Sequence, residues 1–306
     1  MKLIRILPLL LALCILLAAC GKPSDAPSGN GAPSESGTEE QEIEVTLPAQ
    51  GGYSMQELCF TRDGKKIYGE LYLPEGNGPF PGVVIGHGLE SSVEDTRTYA
   101  IALARYGIAA YAFDFIGGGS GVRSDGEITE MSILTEAKDM SVVFDGIRAL
   151  EAVDADRMFV MGLSQGGFVA TYAASQRPED VKGLIAFYPA YVIQDDVKER
   201  TLNGNHITED VCEIMDITVG EIYMRDVLSF NMYDMMKKVT CSALIVHGSA
   251  DETCPIYYSE RASKTLPDAE LITIEDAEHG FYDEDERYAA ECVVLFIQKQ
   301  CAQNGK

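Results

Sequence analysis

The chain of 306 residues has no tryptophan, only four histidines and half as many basic as acidic side chains, 24 Lys and Arg against 48 Asp and Glu. Each shortage excludes something. A formal net charge of −24 argues against nucleic acid or an anionic membrane surface as a partner, since both are polyanions. With histidines only at 87, 206, 247 and 279, no His cluster is available for a metal, and the eight cysteines include no Cys-x-x-Cys pair. No metal and no cofactor is expected. The triplet Gly117-Gly118-Gly119 lacks both the following Lys-Ser/Thr of a phosphate-cradling loop and the spacing of a dinucleotide fingerprint, so it reads as a tight loop. No internal repeat is visible.

The N-terminal apolar run, Ile6 to Ala19, has 14 residues, too short for a permanent membrane helix. It follows Lys2 and Arg5 and ends in Leu17-Ala18-Ala19-Cys20, which resembles a bacterial lipoprotein signal. That resemblance implies removal of residues 1–19, lipidation of Cys20, and an extracytoplasmic protein anchored to the cell membrane. Residues 20–50, rich in Gly, Pro, Ser and Glu, would be the lipidated cysteine and a flexible tether. Processing leaves 287 residues, enough for one large domain over 51–303, and moves the net charge from −24 to −26 as Lys2 and Arg5 are lost. Six cysteines remain besides Cys20, and their spacing dictates no pairing. Cys254 reads as a small buried apolar residue.

Within the domain, the apolar run Met158–Met161 breaks into Gly162-Leu163-Ser164-Gln165-Gly166-Gly167 and resumes with helical character from Phe168. A serine on so tight a strand-to-helix turn needs neighbours almost without side chains, and the helix behind it aims N–H groups at an oxyanion above the serine. If Ser164 is a nucleophile, a histidine must take its proton and a carboxylate must orient that histidine. His279, in a Gly-flanked loop after the strand-like Glu270–Ile274, is the expected base. Asp251, just beyond the buried strand Ala243–His247, is the expected acid, with Glu252 and Glu278 as rivals. His247 reads as a packed histidine holding a loop. Backbone N–H groups of Gln165 and of Leu89, in the His87-Gly88-Leu89 loop after strand 82–86, are the expected oxyanion donors.

Together, His87-Gly88, Asp114-Phe115-x-Gly117, the serine turn, Asp251 and His279-Gly280-Phe281 resemble the α/β-hydrolase superfamily over about residues 53–303. With Ser124-Asp125-Gly126 and Glu130-Met131-Ser132 they are similar to its cinnamoyl or feruloyl esterase-like branch. Leu163 and Leu89 depart from that branch at positions where a polar and an aromatic residue are common. The resemblance implies a cofactor-free Ser-His-Asp esterase.

Strand-like and helical segments alternate, which predicts an α/β fold: a mostly parallel sheet of about eight strands flanked by helices. An opening hairpin, Met55–Thr61 with Lys66–Leu73, turns at Asp63-Gly64. Residues 191–239 break the alternation and are expected to form a helical cap over the site. Its Tyr191, Ile193, Ile214, Met215, Tyr223, Met224, Phe230, Met232 and Tyr233 would fill the cap's own core, or some of them, with Asp195 or Asp196, would line an acyl pocket. The expected activity is hydrolysis of a small-molecule or carbohydrate-linked ester. A serine peptidase and a non-catalytic surface binding protein remain as alternatives, although the sequence shows no device for capturing a peptide amine.

Overall fold

The computed structural model describes residues 46–202, 211–214 and 217–303. The expected signal peptide, Cys20, the linker to residue 45, His206 and Met215 lie outside the described residues. The domain opens antiparallel: β1 (Tyr53–Glu57) pairs with a later strand, while β2 (Phe60–Arg62) and β3 (Lys65–Ile67) form a hairpin of their own. Asp63 and Gly64 turn that hairpin at positive φ, 53° and 81°, as a two-residue hairpin turn requires. The β1 partner is β4 (Gly69–Pro74), so the expected long hairpin is split into two ladders, interrupted at Leu58-Cys59 and Tyr68.

From there strands and helices alternate. β5 (Phe80–Gly86) leads to α1 (Val93–Arg105), β6 (Ala109–Phe113) to α2 (Ile133–Arg148), and β7 (Val153–Leu163) to α3 (Gln165–Gln176). Ser92 and Ser132 start α1 and α2 with capping boxes that satisfy the first free N–H groups. After β8 (Gly183–Phe187), the 191–239 insertion holds α4 (Ile193–Leu202), the hairpin β9 (Val211–Ile214) and β10 (Ile217–Gly220), α5 (Glu221–Leu228) and α6 (Met232–Met236). The insertion is therefore not wholly helical. β11 (Ser242–Gly248), α7 (Tyr257–Thr265), β12 (Ala269–Ile274) and α8 (Asp283–Ala302) complete the domain.

The main sheet has eight strands in the order β1-β4-β6-β5-β7-β8-β11-β12, antiparallel at β1 and β4 and parallel from β6 onward. Alternation along β7 feeds two cores. Met158 and Val160 pack with α2 and α3, whereas Phe159, Met161 and Leu163 pack with α1 and α8. Burial on both faces is why the central strands read as unbroken apolar runs. Tyr191, Tyr223, Met232, Met236 and Val239 of the insertion are buried in the same cluster as α2 and α3.

Candidate active site

The chain leaves β5 toward β6 on one side, while β7 lies on the other side of β5. A crevice forms at the carboxyl ends of strands where the order reverses in this way. Gly88 and Leu89 stand at the end of β5, and Ser164 stands at the end of β7.

Ser164 has φ 52° and ψ −117°, a strained conformation for a residue with a side chain. Backbone bonds hold it there. Its N–H donates to Phe187 O at 2.9 Å, and its carbonyl accepts from Gly167 and Ala190, each at 3.0 Å. The flanking glycines are dictated by contact. A Cβ on Gly162 would lie 1.9 Å from Gly166 O, and one on Gly166 would lie 2.4 Å from Gly86 O.

Three residues far apart in sequence meet in one hydrogen-bonded line. Ser164 Oγ lies 3.0 Å from His279 Nε2, and His279 Nδ1 lies 2.8 Å from Asp251 Oδ2. Nδ1 can only donate to the carboxylate, which leaves Nε2 free to accept the serine proton. Asp251 Oδ1 accepts from Cys254 N–H at 2.7 Å. Burial opposes ionisation of Asp251, but hydrogen bonds from His247, His279 and Cys254 N–H outweigh it and hold the carboxyl well below the usual carboxylate range. His247 is wholly buried, with Nδ1 2.7 Å from Ser259 Oγ and Nε2 2.7 Å from Cys254 O and 3.1 Å from Asp251 Oδ2. Nε2 is thus committed to the loop that carries Asp251, and Nδ1 to Ser259 of the following helix α7. The five described cysteine thiols, Cys59, Cys241, Cys254, Cys292 and Cys301, are free, and burial pushes the Cys254 thiol far up, so that it stays protonated.

Gln165 is the first residue of α3, so its N–H has no acceptor within the helix. The other expected donor is set by His87, which is fully buried. His87 Nε2 accepts from Phe115 N–H at 3.1 Å, so its proton sits on Nδ1, which donates to Gly88 O at 2.7 Å. Burial pushes the pKa of His87 down and keeps this neutral form. The C=O and N–H of one trans peptide point opposite ways, so pinning Gly88 O also sets the direction of Leu89 N–H. Asp114 braces the same region, accepting from Val93 N–H and Arg123 N–H, each at 2.7 Å.

Ser164, His279, Gly88 and Leu89 open on a cavity of about 350 Å³. Its further walls include Glu94, Asp95 and Tyr99 of α1, then Tyr188, Tyr282 and Glu286. Tyr188 sets its ring edge-on to His279, centroids 4.9 Å apart. Among the described residues, none of the 191–239 insertion lines this cavity, so of the two expectations for its apolar side chains the acyl pocket is not supported. Tyr191, Ile193, Ile214, Tyr223, Met224 and Met232 are buried in the core instead, and Phe230 and Tyr233 pack against it. Asp195 bonds Lys198 and Tyr258. The residues missed from sequence, Tyr99, Tyr188, Tyr282 and Glu286, are polar or aromatic positions on α1, at the end of β8 and at the start of α8. Only Tyr188 carried a readable signal, an aromatic at the carboxyl end of a parallel strand. Among the described residues, no group of three or more His, Cys, Asp or Glu is arranged to hold a metal.

Residues 96–304 match the prolyl oligopeptidase family, over more than half of the chain. Est1E from Butyrivibrio proteoclasticus, in a structure with ferulic acid bound, aligns with a TM-score of 0.72 at 27% identity over 80% of this chain and 99% of that one. The 2,6-dihydropseudooxynicotine hydrolase of Paenarthrobacter nicotinovorans is 26% identical over 222 residues, 71% of this chain but only 57% of that protein, so the chain spans less than two thirds of it. Mitochondrial palmitoyl-protein thioesterase ABHD10 of Mus musculus is 23% identical over 236 residues, 71% of this chain and 75% of that one. The chain is an α/β-hydrolase and belongs to the prolyl oligopeptidase family.

Proposed function

We propose that this member of the prolyl oligopeptidase family is a serine hydrolase of carboxylic esters. The observation that carries the reading is the unbroken line from Ser164 Oγ through His279 to Asp251, at 3.0 and 2.8 Å, on one crevice with Gly88-Leu89. Ser164 attacks the ester carbonyl while His279 Nε2 takes its proton. The N–H groups of Leu89 and Gln165 hold the oxyanion, and the imidazolium, paired with Asp251, returns the proton to the departing alcohol. Water, deprotonated by the same histidine, then cleaves the acyl-enzyme.

Esters of a hydroxycinnamoyl or short-chain acyl group, free or linked to carbohydrate, are the substrates this reading favours. The likeness to Est1E, whose structure holds ferulic acid, supports it, as does a cavity of about 350 Å³ walled by three tyrosines, which suits one flat group of modest size. A peptidase is the second reading, favoured by the family's name and by Glu94, Asp95 and Glu286 on the cavity, carboxylates of the kind that hold a peptide amine. Glu94 is already paired with Arg97, and Asp95 accepts from Ser91 and Ser92, which gives esters the advantage. The proposal sets the enzyme outside the cytoplasm on a lipid at Cys20, on the sequence of residues 1–20 alone.

The test is a screen of the purified protein against p-nitrophenyl esters of graded acyl length, methyl hydroxycinnamates and aminoacyl p-nitroanilides, with Ser164→Ala as control. Ester turnover that Ser164→Ala lowers by about 10⁴- to 10⁶-fold without unfolding the protein is the expected result. Anilide cleavage without ester cleavage would replace it with the peptidase reading. A serine that no fluorophosphonate labels would leave a binding protein.

A further inference from the structure

Gln165 offers more to the site than its backbone N–H. Its side chain is buried, and its two polar atoms are held from different elements. Oε1 accepts from the Tyr223 hydroxyl of α5 at 2.6 Å, and Nε2 donates to Glu136 Oε2 of α2 at 2.9 Å. α5 is itself fastened to the start of α2 by Ser132 Oγ–H donating to Asp226 Oδ2 at 2.6 Å, so Tyr223 stands on an anchored element.

Glu136 is an expensive residue for this place. It has no exposed surface, and its second oxygen, Oε1, has no hydrogen-bond partner among the described residues. Burial, together with the nearby Asp139 carboxyl, pushes its pKa well above the usual carboxylate range, against the Gln165 hydrogen bond. A buried polar atom left unpaired lowers stability, and an apolar side chain of similar volume would avoid that cost. Folding alone therefore does not account for Glu136. What it supplies is an acceptor of fixed direction for Gln165.

We propose that Tyr223 and Glu136 are positioning residues that clamp the Gln165 side chain from both ends, and so hold the Gln165 N–H in line with an oxyanion above Ser164. The 191–239 insertion then bears on catalysis through Tyr223, behind the serine turn, and not through contacts with substrate. Gln165 directly follows a residue at positive φ, where the first turn of α3 must keep its place against strain. Oxyanion donors act only when aimed at the atom that carries the developing charge, so a small displacement of this peptide weakens transition-state binding while leaving ground-state binding alone. The inference rests on the serine esterase reading above.

The experiment compares the full protein with Tyr223→Phe, Glu136→Leu and Glu136→Gln. Active sites are titrated with a fluorophosphonate, kcat and KM are measured on p-nitrophenyl acetate, and affinity is measured for a boronic acid that forms a tetrahedral adduct on the serine. Tyr223→Phe should lower kcat by about 3- to 30-fold, less than the 10²- to 10³-fold that follows loss of a whole oxyanion donor, with KM within about twofold. Boronic acid affinity should fall by the same factor as kcat. Glu136→Leu should behave alike, and Glu136→Gln, which keeps a carbonyl acceptor for Gln165, should restore most of the lost rate. If Glu136→Leu does not fold, Tyr223→Phe, which removes a single hydroxyl, decides the matter. Variants that lower only the melting temperature, with kcat and boronic acid affinity per titrated site unchanged, would overturn the clamp and leave the esterase reading standing. A wild-type protein that neither labels nor turns over ester would remove both.

Discussion

Replacing Asp251 by asparagine tests the hydrogen-bonded line at its least exposed member. Oδ1 of Asp251 is committed to Cys254 N–H at 2.7 Å, a place the asparagine carbonyl can keep. The amide NH₂ then stands where Oδ2 was, 2.8 Å from His279 Nδ1. A donor facing Nδ1 selects the tautomer that carries its proton on Nε2, and that proton points at Ser164 Oγ. The imidazole can no longer accept the serine proton. Elsewhere such a tautomer change with intact geometry costs about 10⁴ in kcat, or about 5 kcal/mol of transition-state stabilisation. The same amide also faces His247 Nε2, which lies 3.1 Å from Oδ2 and carries its proton toward Cys254 O at 2.7 Å, so the variant should melt earlier as well. Turnover of p-nitrophenyl acetate and the rate of fluorophosphonate inactivation, both per folded molecule by circular dichroism, separate the two effects. His247→Ala and His279→Ala, measured at equal folded fraction, complete the set, and only the second should abolish turnover. Retention of more than a tenth of wild-type kcat by a folded Asp251→Asn would refute the reasoning. So would loss of turnover in His247→Ala alone.

The pKa of Glu136 is raised in the fold by burial, so its contribution to stability is fully present below its ordinary value of 4.5 and is lost as pH rises from there. Glu136→Gln should therefore gain melting temperature at pH 8 relative to pH 4, and an equal shift at both would rule this out. Glu70 is the opposite case. Burial opposes its charge, but hydrogen bonds from Arg97, Tyr72 and Arg123 prevail and bring its pKa to about 2, so its stabilisation is present above 4.5 and fades as pH falls toward 2. Glu70→Gln should cost more stability at pH 7 than at pH 3, and thermal melts at the two pH values check it. Cys20→Ala should move the protein from the membrane fraction to the soluble one or block its processing, and a wild-type protein that takes up no fatty-acid analogue at Cys20 would refute lipidation.

What could be read from the sequence follows from short-range physics. Unbroken apolar runs mark strands buried on both faces. Gly162 and Gly166 report a turn so tight that a Cβ would meet backbone. Chain order and strand ends were enough to single out Ser164, Asp251 and His279, which the fold then brings into one hydrogen-bonded line. The buried acid went unread, although its position carried a signal. Glu136 falls on the same helical stripe as Ile133, Ala137, Met140 and Ile147, a carboxyl where the period demands an apolar residue. Only the tertiary structure decided what meets that stripe. Tyr223 lies 58 residues from Gln165, and Glu136 lies 29 residues from it on another helix. The same holds for the cavity, whose further walls come from α1, Tyr188 and the start of α8, while the described aromatic and methionine residues of 191–239 turn into the core. An apolar side chain in a segment that breaks the β/α alternation is equally suited to lining a pocket or filling a core. Which one it does depends on which surface that segment covers, and that is set by packing between elements distant in the chain.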